Sequence, residues 1–366
     1  MSAATSSNDP LLCAIRHALS GLLPDRPNRV CIRPLPGGEA RGHTVWKVTT
    51  PTGACLAVKQ QTFAPLTRNR PYDLLEVEKT VCRLLRAEGC PLPEVYATEP
   101  EYSLIFFEWC GRLTLDDICQ EATPPVRSSF ADRTVDGFAA VQAAFQTHTP
   151  ALSQRAFPGC DPKGLLESWQ EATDGLERAL PHLVAHFNPA STPQAVAHRL
   201  WPALVADLEA APPTLGTTDY NARNVVVNPE PEDLTFIEFS KLGWDWPERR
   251  LVQYTTGLGA GRPDGRFRSL LTPRTTARYT DRAANGRSAT PEAIARRLDG
   301  HHLTFHLLAG CRLLAAASAP TEGRNPGLLN AWRNPERRLK QLQRILATPL
   351  SGNPAICELR SLFGAP

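Results

Sequence analysis

Residues 215–228 read LGTTDYNARNVVVN, a polar, turn-forming segment that runs directly into three valines. Asp219 and Asn224 stand five positions apart in it. At that separation a catalytic loop presents a proton-accepting carboxylate and a metal-binding amide to a phosphate donor. An Asx-rich surface hairpin would account for each residue singly, because Asn and Asp form turns through their own side chains. The flanking sequence decides between the two readings. A phosphate-handling loop requires a cationic clamp upstream and a second oxygen ligand downstream.

Upstream, VCIRPL (30–35), TVWKVTT (44–50), CLAVKQQ (55–61) and SLIFFEW (103–109) are β-rich runs separated by PGGEARG, PTG and a longer insert. Their short period predicts an antiparallel sheet. The segment PGGEARGHT approaches a Walker A pattern, but it lacks the lysine and leads into a strand rather than a helix, so that motif is rejected. A hairpin loop carrying Gly37 and Gly38 can still lie over phosphates with its amides, or be a plain turn. Alternation along CLAVKQQ places Ala57, Lys59 and Gln61 on one face. DLLEVEKTVCRLLRAEG (73–89) has helical apolar spacing, with Gly89 as its stop. Glu78 in that helix can pair with Lys59; Glu76 lies about 200° away around the helix and cannot share the same face. The apolar strand ending at Glu108-Trp109-Cys110 offers backbone for an adenine edge.

Downstream, LTFIEF (234–239) predicts a strand ended by Glu238, a second carboxylate for a metal. In this reading Asp219 accepts or orients the proton of an attacking hydroxyl and Asn224 coordinates magnesium through its amide oxygen. Glycine loop, strand lysine, helix glutamate, Asp-x4-Asn and a strand-ending acid thus occur in one order along the chain.

Beyond Gly111 the pattern is mainly helical, as in FAAVQAAFQTH (138–148), GLLESWQEATDGLERALPHL (164–183), AVAHRLWPALVADLEAA (195–211) and LTFHLLAGCRLLAAAS (303–318). A small sheet followed by a larger helical region predicts an α+β, two-lobed architecture, with a nucleotide-binding lobe over 1–110 and a helical lobe over 111–366. The length of 366 residues suits two such units. Net charge is only +3, too small to imply a nucleic-acid protein. The ten cysteines form no CxxC pair, which predicts free thiols in a reducing cytoplasm. No secretory leader and no membrane-spanning apolar run are expected.

On these segments the chain resembles the aminoglycoside phosphotransferase and choline kinase group of small-molecule kinases, from about Pro34 to Leu251. The resemblance implies a protein-kinase-like fold, ATP and Mg²⁺ as cofactors, and transfer of the γ-phosphate to a hydroxyl of a small molecule. It makes Asp219 the catalytic base, Asn224 and Glu238 the metal ligands, Lys59 the phosphate clamp, Glu78 its partner, and Glu108 to Cys110 the hinge. Three departures stand out: Thr217-Thr218 where the family has His-Gly, Glu238 where it has Asp, and Arg250 where a later Asp is usual. They keep open a second reading, a nucleotide-binding pseudokinase that acts through a partner.

Residues 261–300 hold nine Arg against four acids, a local charge of +5. If this stretch lines the acceptor site, a neutral or anionic metabolite or natural product fits better than a polycationic aminoglycoside. A solvated loop is the alternative; nucleic-acid contact would need more aromatic interleaving than Phe267 and Tyr279 supply. His302 and His306 share a helix face but lack the accompanying acid of a zinc motif, which favours packing. Trp244 and Trp246 are expected to pack the cleft floor, with Asp245 between them.

Overall fold

The computed structural model describes residues 10–22, 30–35, 45–61, 72–190, 193–230, 232–260, 262, 264–284, 289–318 and 334–364. Helix α1 (Pro10–Leu22) leads into β1 (Cys31–Pro34), β2 (Val45–Thr49) and β3 (Cys55–Gln60), followed by α2 (Leu74–Ala87), β4 (Val95–Glu99) and β5 (Leu104–Glu108). These strands form one antiparallel sheet in the order β1-β2-β3-β5-β4. Strand β4 is not among the four expected runs; its VYATE sequence has only one apolar-polar alternation to mark it. Gly37 and Gly38 lie outside the described residues.

Period-two alternation gives the sheet two different faces. Val48, Leu56, Val58 and Phe106 bury their side chains against Ile15 and Leu19 of α1. The opposite face carries Ala57 and Lys59 toward α2. That helix starts at Asp73, whose carboxylate accepts from Glu76 N, and ends where Gly89 takes φ +79°. The cap satisfies orphan amides at the start, and the glycine adopts a left-handed turn that L side chains resist.

The second lobe begins with β6 (Leu113–Thr114), α3 (Leu115–Glu121), α4 (Pro124–Leu152), α5 (Pro162–Phe187) and α6 (Pro193–Glu209). A strand-rich insert follows: β7 (Thr214–Thr217), β8 (Val225–Pro229), β9 (Glu232–Phe236) and β10 (Leu242–Asp245). Strand β7 pairs with β10, and β8 sits between β6 and β9. Then come α7 (Pro247–Tyr254), β11 (Thr256–Gly257), β12 (Arg268–Ser269), α8 (Pro273–Ala284), α9 (Pro291–Ser318), α10 (Pro335–Ala347) and α11 (Pro354–Ser361). The result is the two-lobed α+β architecture expected from the sequence.

One apolar core joins the lobes, with Val81 and Leu85 of α2 clustering with Phe138 and Phe145 of α4 and with Val225 and Phe236. A second core binds α5, α6, α9, α10 and α11 through Trp169, Trp201, Leu303 and Leu342. Burying a large side chain of this kind contributes roughly 1.5–3 kcal/mol, so the junction is a packed interface rather than a loose hinge. Among the described residues no helix is long and apolar enough to cross a membrane.

Candidate active site

Lys59 occupies the central strand of the upper sheet, paired with Val45 on one side and Ile105 on the other. Its ammonium lies 3.3 Å from Glu78 Oε2 and 2.6 Å from Glu238 Oε2. Burial alone would lower the Lys59 pKa, but the Glu238 and Glu78 carboxylates together hold it above its ordinary value. Glu78 is fully buried, and burial together with the nearby Glu238 charge raises its pKa against the pull of Lys59. Two carboxylates face one ammonium, so the trio is best stabilised by further positive charge. Glu76 turns to solvent beside Lys79, as the helical angle requires.

Gln61 is a site residue that no sequence motif marks. It donates to Glu78 Oε2 at 2.6 Å, and Phe239 N donates to Glu78 Oε1 at 3.2 Å, so both carboxylate oxygens are oriented. Its place on the Lys59 face, given by strand alternation, is the signal that could have found it.

The 215–228 loop is tied to itself. Asn224 Nδ2 donates to the Asp219 carbonyl at 2.8 Å and to Asp219 Oδ1 at 2.9 Å. Asn221 Nδ2 reaches the same Oδ1 at 3.1 Å and its own Oδ1 accepts from Arg223 N, an Asx turn. With its NH₂ engaged by Asp219, the Asn224 amide keeps its oxygen for a cation.

Glu238 does not end a strand as expected. Strand β9 stops at Phe236, and Glu238 sits two residues later at φ +69°. A non-glycine residue in this region carries roughly 1–2 kcal/mol of strain, which surrounding bonds must hold in place. Thr217 supplies one of them, since its hydroxyl donates to the Glu238 carbonyl at 2.8 Å and accepts from Asp219 N at 3.2 Å. Thr218 N donates to the Lys241 carbonyl at 2.9 Å, and the methyl of Thr218 fills the space where Gly243 has no Cβ. The threonine pair is therefore built into the loop.

Arg250 is also accommodated. It is completely buried beneath β7 and β10, where it donates to the Thr214 carbonyl at 2.8 Å and the Gly243 carbonyl at 3.0 Å. A Cβ on Gly216 would stand 2.7 Å from the guanidinium carbon, so glycine and arginine fit as a pair.

Between the lobes lies a cavity of ≈ 130 Å³. Leu35, Val45 and Ala57 form its roof, Val226 and Ile237 its floor, and Lys59 and Glu238 its inner end. The Glu108 carboxylate turns away to Arg86 Nη1 at 3.1 Å and Glu94 N at 3.2 Å. What the hinge offers the cavity is the backbone of 108–110. Asn228 Nδ2 fixes the Cys110 carbonyl at 2.8 Å, and Lys47 covers the Trp109 ring at 4.6 Å from its centroid.

The sequence profile of the phosphotransferase enzyme family matches residues 32–264. The chain belongs to that family. Solved structures with the same fold include ethanolamine kinase of Plasmodium vivax, at 11% identity over 93% of this chain and 91% of that one, with a TM-score of 0.50. A choline/ethanolamine kinase family protein of Mesorhizobium loti matches at 12% identity, 96% and 99% coverage and a TM-score of 0.50. A candidate aminoglycoside phosphotransferase of Ralstonia eutropha matches at 14% identity, 96% and 98% coverage and a TM-score of 0.52. Comparison with curated protein sequences finds no match. At such identities the shared feature is the fold, and the residues above carry the chemistry.

The Arg-rich stretch requires a correction. Arg274 pairs with Asp132 at 2.9 Å, Arg278 and Arg282 with Asp136, Arg262 with Asp117 and Glu121, and Arg296 with Asp207 at 2.6 Å. These five cations tie the 262–297 region to α3, α4 and α6 through the chain's own acids. His302 and His306 pack as expected: His302 contacts Ser269 Oγ at 3.0 Å and Arg360 at 3.1 Å, and His306 Nδ1 meets the His302 carbonyl at 2.7 Å. Trp246 is buried against Trp169, with ring centroids 5.1 Å apart. Asp245 is consumed by Tyr220, Trp246 N and Arg249.

Proposed function

We propose that the protein is an ATP-dependent O-phosphotransferase acting on a hydroxyl of a neutral or anionic small molecule. One observation carries this reading: the buried Lys59–Glu78 pair and Glu238 close the inner end of the same cavity whose outer edge is the 108–110 backbone. An adenine between Val45 or Ala57 and Val226 or Ile237 would meet that backbone, leaving its phosphates toward Lys59. The lobes then divide the work, 1–110 for the nucleotide and 111–366 for the acceptor, with Gly37 and Gly38 over the phosphates.

Asn224 and Glu238 offer the oxygen donors that Mg²⁺ prefers, and the net negative Lys59–Glu78–Glu238 trio fits a cation there. Bound Mg²⁺ would neutralise charge on the phosphates. The chain's own residues do the rest. Asp219, its carboxylate fixed by Asn221 and Asn224, orients the acceptor hydroxyl and takes its proton as oxygen attacks the γ-phosphorus in line and the bond to ADP breaks. Lys59 stabilises charge developing on the phosphate oxygens.

A nucleotide-binding regulatory protein without transfer is the second reading, and it draws on the 2.6 Å contact that engages clamp and metal acid with each other. The Asp219→Asn variant separates the two. Loss of phosphate transfer to a hydroxyl-compound panel, with Mg-ATP still stabilising the protein, is the expected result. Ligand at 100 times its Kd adds roughly 2.7 kcal/mol, ample for a melting curve. A variant that transfers phosphate at the unmodified rate would remove Asp219 as the base, and no consumed acceptor with unmodified protein would favour the second reading.

A further inference from the structure

A second cavity, of ≈ 190 Å³, opens beside the catalytic loop between α5, α7 and α9. Asn221 forms its edge, and Asn221 Nδ2 stands 3.1 Å from Asp219 Oδ1, so a molecule in this space lies next to the carboxylate. Leu308 and the Trp169 ring give it apolar walls.

Its charged groups are all cations, set among neutral residues, Asn221, Gln253, Thr256 and Thr304, that both donate and accept. Arg249 and Arg312 both line it, and no lining residue is acidic. Arg249 lies over the Trp169 ring at 5.5 Å and is paired with Asp245 at 2.9 Å, whose oxygens are already engaged on the far side by Trp246 N and Tyr220. Arg312 is exposed at the mouth and forms no ion pair among the described residues. The pocket therefore keeps one positive charge in excess.

Deeper in, His301 is 1% exposed and Trp169 2% exposed, yet both ring nitrogens of His301 and Nε1 of Trp169 have no hydrogen-bond partner among the described residues. Buried polar atoms without partners are rare in folded proteins, and when they border a cavity a ligand is the natural partner. Burial pushes the His301 pKa down to about 3, so the ring is neutral at ordinary pH and keeps one N–H and one acceptor nitrogen. Two N–H donors at the back and two guanidinium groups at the side make an anion receptor with a flat apolar wall.

We infer that this cavity takes an anionic acceptor, a hydroxyl compound whose carboxylate or phosphate is held by Arg249, Arg312 and the His301 and Trp169 N–H groups. The inference rests on the phosphotransferase reading and deepens it by fixing the charge of the substrate. None of these four residues belongs to the arginine-rich stretch 261–300, where Arg262, Arg274, Arg278, Arg282 and Arg296 pair with the chain's own acids.

The test uses four probes that share one arylmethanol body: 4-(hydroxymethyl)benzoate, 4-(hydroxymethyl)phenyl phosphate, neutral 1,4-benzenedimethanol and 4-(hydroxymethyl)benzylamine. Binding to the full chain with Mg-ADP present is followed by calorimetry. At least one anionic probe should bind about tenfold or more tightly than the neutral diol, and the amine more weakly still. The benzoate and phosphate arms tell which anion is preferred. Arg312→Glu, on an exposed side chain, should erase that preference while nucleotide affinity stays unchanged. His301→Phe should weaken the anion further, and His301→Gln, which restores a donor, should recover part of the loss. An amine probe binding as tightly as the anions, absence of binding by either anion, or a preference that survives Arg312→Glu would overturn the inference. Anion binding here, with no phosphate transferred from Mg-ATP to any member of the hydroxyl-compound panel, would instead sink the phosphotransferase reading and leave the anion site standing.

Discussion

The hydroxyl of Thr217 donates to the carbonyl of Glu238 at 2.8 Å, joining two loops 21 residues apart in the chain. The same oxygen accepts from Asp219 N at 3.2 Å. One side chain thereby links the residue proposed as base to the strained turn that carries Glu238, the acid proposed to hold the metal. Thr217→Val keeps the shape and removes both bonds. Leaving buried polar groups unpaired costs on the order of 1–3 kcal/mol. Because a displacement of about 1 Å can cost about 10²-fold in rate, kcat should fall by about that factor with nucleotide affinity retained. Thr217→Ser should keep most of the activity. Steady-state kinetics alongside nucleotide titration checks both, and a valine variant with unmodified kcat would show that the Glu238 turn is held by other means.

Much of this site is legible in the sequence because it is made of local patterns. Period two places Lys59 and Gln61 on one face, the helical angle separates Glu78 from Glu76, and Asp219 and Asn224 lie in one loop. Long-range facts are not legible there. The cavity proposed for the acceptor gathers Trp169, Arg249 and His301 from helices far apart in sequence, and no spacing rule connects them. The left-handed backbone at Glu238 is equally hidden, since glutamate carries no preference for it.

The arginines show the same limit from the other side. As a stretch of sequence they suggest an anion-binding surface, but Arg262, Arg274, Arg278, Arg282 and Arg296 bind this chain's own acids. Arg278 donates to Asp136 Oδ1 at 2.8 Å on the outer face of α8. An exposed pair of this kind contributes about 0–1 kcal/mol and is screened by salt. Arg278→Gln should therefore leave acceptor KM and kcat unchanged and lower stability by less than about 1 kcal/mol. A large rise in acceptor KM would return this stretch to the binding site.

Three buried imidazoles make the fold sensitive to acid. Burial lowers the pKa of His301 and of His306 to about 3, and that of His302 well below its usual value. Unfolded histidine titrates near 6.5, so between these values the unfolded chain binds more protons than the folded one. Stability contributed by the neutral rings is fully present above about pH 6.5 and is lost as the pH falls toward 3. Each ring accounts for at most about 1.4 kcal/mol per pH unit. Urea midpoints should decline steadily from pH 7 to 4.5, and His306→Phe should flatten the slope. A midpoint that does not move over this window would mean that the rings are protonated in the fold.

Gly111 marks the junction between the lobes and offers the sharpest test of the hinge. It takes φ +126°, and a Cβ there would stand 2.5 Å from Asn228 Oδ1, the side chain whose amide nitrogen fixes the Cys110 carbonyl. Gly89 takes φ +79°, and a Cβ there would meet nothing within 4 Å. Both glycine-to-alanine changes carry the backbone penalty of roughly 1–2 kcal/mol. Only Gly111→Ala must also push Asn228 aside, releasing the backbone proposed to meet the adenine. Nucleotide affinity should therefore drop about tenfold in Gly111→Ala and stay unchanged in Gly89→Ala, while both lower the melting temperature. Equal nucleotide affinities in the two variants would separate the hinge backbone from nucleotide binding, because the shared strain is then the only effect present.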